Sequence, residues 1–107
     1  MKSTIMAVLL SFAVFLAPAA HADWHGGKVT TVQIAYDGRT IVFTLAGHSR
    51  TNCTCYSPWP NTLCLNRARD SFKEEVAMLY SVRARAADLN VNIDEATCSV
   101  VAMYETD

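Results

Sequence analysis

Apolar and polar positions alternate along Lys28 to Tyr36 and Arg39 to Ala46, and this period of two predicts two strands. Asp37-Gly38 between them is a two-residue hairpin signal. Pairing Tyr36 with Arg39 sets Ile34 opposite Ile41, Val32 opposite Phe43 and Thr30 opposite Leu45, so the apolar residues of both strands share one side. Gln33, Thr31, Val42 and Thr44 take the other. Gly47 to Arg69 is irregular, with three cysteines and Pro58-Trp59-Pro60, and only Thr62 to Leu65 reads as a short strand. Leu89 to Asp94 alternates again, with Leu89, Val91 and Ile93 inward. Cys98 to Tyr104 is apolar on both faces, Val100/Ala102/Tyr104 and Val101/Met103, so cover is expected on each side. Asp23 to Gly27 has no such pattern and reads as a loose tail.

Between the third and fourth strands, Ser71 to Ala87 predicts one long helix. Ser71 and Glu74 have the spacing of a capping box. Glu74 and Glu75 suit the positive end of the helix dipole, and Arg83 and Arg85 the negative end. Phe72, Val76, Leu79, Tyr80, Val82, Ala86 and Ala87 spread over more than half of the circumference, leaving Glu74, Ser81 and Arg85 as the polar stripe with Met78 beside it. One sheet face covers only about a 100° stripe. The surplus requires loops or a second subunit. Arg83 falls in the middle of the apolar arc, where it either snorkels to solvent or meets a carboxylate across a subunit contact. The element order β-β-(β)-α-β-β describes a small α+β domain, an antiparallel OB-like sheet or barrel with one long helix.

Met1-Lys2, the apolar run Ile5 to Leu16 and the small-residue site Ala20-His21-Ala22 read as a secretory signal peptide over residues 1–22. Residues 23–107 are then a single exported domain, secreted or periplasmic, with no membrane span after cleavage. The chain carries 9 Lys and Arg against 10 Asp and Glu, and Lys2 belongs to the leader. Such a near-neutral, interspersed surface argues against nucleic acid as a partner. Four cysteines in an exported domain imply two disulfides. Cys53 and Cys55 are too close to bridge each other. Two pairings remain, and Cys55–Cys98 with Cys53–Cys64 is preferred, tying the loop to the last strand and closing the loop on itself. A four-thiolate zinc site is disfavoured, since Cys53-x-Cys55 is tighter than usual zinc-ligand spacing.

Gly27-Lys28-Val29, Asp37-Gly38, Ala77-Met78-Leu79-Tyr80, Val91-Asn92-Ile93 and Cys98 together resemble a group of short secreted bacterial proteins. That group is similar to the OB-fold B subunits of pentameric bacterial toxins of the subtilase cytotoxin type. The resemblance implies a glycan-binding ring with the subunit helices at its centre. Self-association would then use Met78, Val82 and Arg83 of the helix and Val101 and Met103 of the last strand.

Trp59, Tyr56 and Tyr36 are the candidate ligand-binding residues, since exposed aromatics serve sugar- and protein-binding surfaces. Trp59 between two prolines could instead cap the barrel end. His25 becomes the third residue after cleavage behind Ala22, where an amine, two amides and an imidazole could hold Cu(II) or Ni(II). His48 with Asp70 and Ser49 or Ser57 lacks any nucleophile elbow or oxyanion motif. Asp94 and Glu95 are adjacent and do not form an acid/base pair. Asn52-Cys53-Thr54 matches a glycosylation acceptor but is set aside in a bacterial-type chain. The sequence therefore predicts a non-enzymatic binding module without a cofactor, for glycan or protein. A monomeric inhibitor or adaptor is the alternative, and N-terminal metal binding a weaker one.

Overall fold

The computed structural model describes residues 22–106. The expected leader, apart from Ala22, lies outside them. Five strands and one helix follow in order: β1 Ala22–Ile34, β2 Thr40–Leu45, β3 Leu63–Asn66, α1 Phe72–Arg85, β4 Asp88–Asp94 and β5 Val100–Thr106. They form one antiparallel sheet in the order β3-β2-β1-β4-β5. A parallel bridge between Cys64 and Ser99 brings the two outer strands together, and the Cys64 amide bonds the Cys98 carbonyl at 3.1 Å. The sheet thus curls into the OB-like barrel that the element order predicts.

The long β1 makes this closure possible. Its first half pairs with β4, from Ala22↔Asp94 to Lys28↔Asp88, and its second half pairs with β2. Asp23 to Gly27 is therefore strand, not a loose tail. Gly27 lies where β1 passes from one partner to the other, and a Cβ there would meet the Ala46 carbonyl at 2.5 Å. The missing side chain permits this close backbone approach.

Ile34↔Ile41, Val32↔Phe43 and Gln33↔Val42 pair as the alternation predicts. Thr30 does not face Leu45. A bulge between Val29 and Thr31 gives that partner to Val29, which is buried. The extra residue reverses which side chains point inward beyond it. The hairpin also differs from the expected two-residue turn. Ala35 bonds Thr40, leaving Tyr36 to Arg39 as a four-residue loop, and the Asp37 carboxylate accepts the Arg39 and Thr40 amides at 2.8 and 3.0 Å. In β5 a second irregularity lets Val100 pair with Ile93 and Met103 with Val91. The inward side chains there are Val100 and Met103, drawn from both of the faces expected from the sequence.

The helix is shorter than Ser71 to Ala87, and the Ser71–Glu74 capping box does not form. The Ser71 hydroxyl donates instead to Glu75 Oε2 at 2.9 Å, and Arg69 Nη2 reaches the same oxygen at 2.7 Å. At the other end Ala86 takes the left-handed conformation, φ 55°, and the Ala86 and Ala87 amides bond the Arg83 and Val82 carbonyls. The helix touches β1, β3, β4 and β5, so it closes one end of the barrel instead of lying on a flat sheet. A concave seat takes a wider arc of the helix. Leu79 and Val82 are wholly buried against Phe43, Leu63, Leu65, Leu89, Val91 and Ile93. Val82 therefore belongs to the core and is unavailable to another subunit.

The disulfides are Cys53–Cys98 and Cys55–Cys64, the reverse of the preferred pairing. Strand parity explains it. Leu63 and Leu65 point into the main core, so Cys64 between them points out of the barrel. There it meets Cys55, while Cys53 and Cys98 sit in the main core. Two disulfides in so small a domain fit an oxidising compartment. No helix among the described residues is long and apolar enough to cross a membrane.

Candidate ligand-binding site

The outward disulfide organises the site. Cys55–Cys64 pins the irregular loop onto the outer face of β2, where Val42, Ala35 and Cys64 form a small second core under Cys55, Tyr56 and Trp59. The Trp59 amide bonds the Tyr56 carbonyl at 3.0 Å, and the Thr62 hydroxyl bonds the Trp59 carbonyl at 2.9 Å, so a tight turn presents both rings. The β1–β2 hairpin supplies Tyr36, whose amide donates to the Tyr56 hydroxyl at 3.0 Å. Tyr36 and Trp59 ring centroids are 5.1 Å apart, and those of Tyr56 and Trp59 are 5.3 Å apart. The three aromatics named from sequence thus form one cluster. Tyr36 stays 83 % exposed. Trp59 is half-buried and has two roles, covering the outer core and walling a groove.

That groove runs along the outer face of β1 and β2. Its aromatic end, about 430 Å³, is lined by Thr31, Gln33, Thr44, Trp59, Asn61 and Thr62. It continues past Thr44 and Asn61 into a second hollow of about 470 Å³ that includes Thr30, His48, Ser49 and Arg50. Thr44 Oγ1 lies 2.6 Å from Thr30 Oγ1 and 2.7 Å from Thr31 Oγ1, which fixes the hydroxyls on the floor. The lining is amide, hydroxyl and aromatic, with a cation at the far end. Gln33, Thr44 and Asn61 were not singled out from sequence. The alternation did place Thr31, Gln33 and Thr44 on the outer face, but nothing in it showed that a loop would make that face one wall of a groove.

At the far end, Glu95 ties three segments together. Its Oε2 lies 2.7 Å from His25 Nε2 and its Oε1 accepts Arg50 Nη1 at 2.8 Å. These bonds, the one to His25 first, hold the Glu95 carboxyl below its ordinary range against a smaller opposing effect of burial. The His25 and His48 rings lie 4.2 Å apart. His25 thus sits on paired strand, not on a free tail, and its imidazole is engaged with Glu95. Among the described residues no group of three or more His, Cys, Asp and Glu side chains is arranged to hold a metal ion. His48 Nε2 is buried and has no hydrogen-bond partner, so it bonds neither Asp70 nor Ser49 nor Ser57.

The remaining residues assigned to self-association fall in two separate hollows. Met78, Val101 and Met103 do converge, lining a shallow hollow of about 350 Å³ with Ala102, Glu74 and Glu75. Val101 is exposed, while Met78 and Met103 are half-buried against the core. Arg83 borders a separate hollow with Val29, Tyr80 and Ala84, and its Nη2 lies 3.4 Å from the Thr30 carbonyl.

No model of a known protein family matches the chain, and no curated protein or solved structure matches it.

Proposed function

We propose that this protein is an exported, non-enzymatic binding module that holds a saccharide in the groove beside Tyr36, Tyr56 and Trp59. The observation that carries the reading is the convergence of those three aromatics at the end of a groove lined by amides and hydroxyls. A pyranose has an apolar C–H face and a rim of hydroxyls. It needs a ring to lie against and paired donors and acceptors around it, and the Trp59 wall with Gln33, Asn61 and Thr31 offers both. The two disulfides fit export, in line with the leader read in residues 1–22. The likeness to toxin B subunits adds a ring-like assembly through Met78, Val101 and Met103, supported by their convergence in one hollow.

The test is an array of immobilised glycans probed with the oxidised protein and its Tyr36→Ala variant. Tyr36 is exposed, so this change leaves the outer core intact. The reading expects binding to a restricted set of glycans, weakened by up to about tenfold in the variant, as loss of one ring contact implies. Absence of binding, or equal binding by the variant, contradicts it.

One observation favours a second reading. Ile34 and Tyr36, 63 % and 83 % exposed, project from a hairpin braced by the Asp37 turn and by Tyr56. A rigid apolar tip of this kind suits insertion into a protein cleft, as an inhibitor or adaptor would require. A glycan-silent protein that captures a single protein from extracts, with capture lost in Tyr36→Ala, would support it.

A further inference from the structure

The cluster at the far end of the groove joins three parts of the chain that are remote in sequence. His25 comes from β1, His48 and Arg50 from the β2–β3 loop, and Glu95 from the β4–β5 turn. These are also the charged and titratable groups that face His48. Among them Glu95 is the one carboxylate, and both its oxygens are taken, one by His25 and one by Arg50. Its backbone carbonyl accepts Arg50 Nη2 at 2.7 Å as well. His48 lies against His25 with its Nε2 buried and unpartnered. A neutral imidazole tolerates that position. A protonated one would carry an N–H⁺ without a hydrogen-bond partner into it, beside Arg50 and a second imidazole.

We propose that this cluster is an acid-released clasp: protonation of His48 frees residues 47–52 from β1 and Glu95 and opens that end of the groove. The chain is built for a movement limited to that segment. Before it, the Ala46 amide is bonded to the Lys28 carbonyl at 2.8 Å; after it, Cys53 is tied to Cys98. Gly47, at φ 81° with open space around it, supplies a hinge. The clasp does not depend on what the groove binds.

The direction follows from proton counting. Burial holds the His48 imidazole below its ordinary 6.5, the charges of His25 and Arg50 lower it further, and Glu95 opposes them. The closed form therefore binds fewer protons at His48 than the open form. The clasp is at full strength above about pH 6.5 and weakens as pH falls through the depressed value. Glu95 and Glu75, both held below their ordinary 4.5, keep their charge in that window. Mild acid thus acts through imidazole and not through the carboxylates.

The experiment is an NMR titration of the oxidised wild-type protein from about pH 7.5 to about pH 5, the range of imidazole titration. The expected result is loss of the His25–His48 ring contact in step with titration of the His48 ring, with the Ser49 to Asn52 amides shifting together. In His48→Gln the amide shifts should shrink several-fold. Titration of His48 with the ring contact and loop amides unmoved would overturn the proposal, as would undiminished shifts in His48→Gln. If that variant fails to fold, the wild-type titration alone decides.

Discussion

At the scale of single residues, Glu75 carries the largest local commitment. Burial alone would raise its carboxyl, but hydrogen bonds from Arg69 and Ser71 and the Arg69 charge outweigh it and hold it below the ordinary 4.5. Its contribution is therefore present above pH 4.5 and lost as pH falls through the lowered value. Glu75→Gln should cost about 2 kcal/mol near neutrality, the order of a charge-assisted bond lost from a buried site. Chemical denaturation measures that loss, and the variant's stability should fall less than the wild type's as pH drops below 4.5. Gly27→Ala tests the close approach to Ala46. With 2.5 Å to a carbonyl oxygen the variant must shift backbone, and its thermal midpoint should fall.

These two residues also show what a sequence can say at this scale. S-x-x-E spacing picked out Glu74, but its neighbour Glu75 faces the core side, and Arg69, outside the helix, selects it. Adjacent glutamates look alike until a partner from another segment is known. Asp23 to Gly27 was read as a loose tail because it lacks the alternation; glycine is both flexible and small, and which property Gly27 uses depends on what lies opposite, here Ala46.

Among elements, the strands were legible where turn and alternation agreed, as at Ile34↔Ile41 and Val32↔Phe43. They failed at the bulges. In each case the inward apolar residues stand three apart, Val29 to Val32 and Val100 to Met103, a spacing that period-two reading splits between faces. The disulfide pairing was accessible too, because Leu63 and Leu65 on the core side require Cys64 to face outward. Loop-closure entropy then ranks the two bridges. Cys53–Cys98 spans 45 residues and Cys55–Cys64 spans 9, which implies about 4 and about 2.5 kcal/mol. Paired Cys→Ala variants compared by denaturation should show the first loss to be larger. At the helix end, Ala86→Gly should stabilise by about 1 kcal/mol, since alanine takes a left-handed conformation there that glycine adopts freely.

For the molecule as a whole, a small OB-like antiparallel sheet with one helix was legible from element order, while the helix's seat at the barrel end and the groove were not. The groove exists because Cys55–Cys64 turns a loop back across the outer face of β2, bringing Trp59 beside residues of β1 and to Tyr36 on the hairpin. The surplus apolar surface of the helix is smaller than its sequence suggests, since Val82 and Leu79 fill the barrel end. What remains near Val101 and Met78 is the surface that the proposed ring-like assembly would use. Light scattering after size exclusion should give a closed oligomer of about five subunits for the oxidised protein, and Val101→Glu should reduce it to monomer. The central claim concerns the groove itself. The most direct test is to follow backbone amide NMR shifts while adding a saccharide, first the best array ligand. The account predicts shifts confined to Gln33, Tyr36, Tyr56, Trp59, Asn61 and their neighbours. Shifts centred instead on β4 and β5, or none at millimolar sugar, would contradict it.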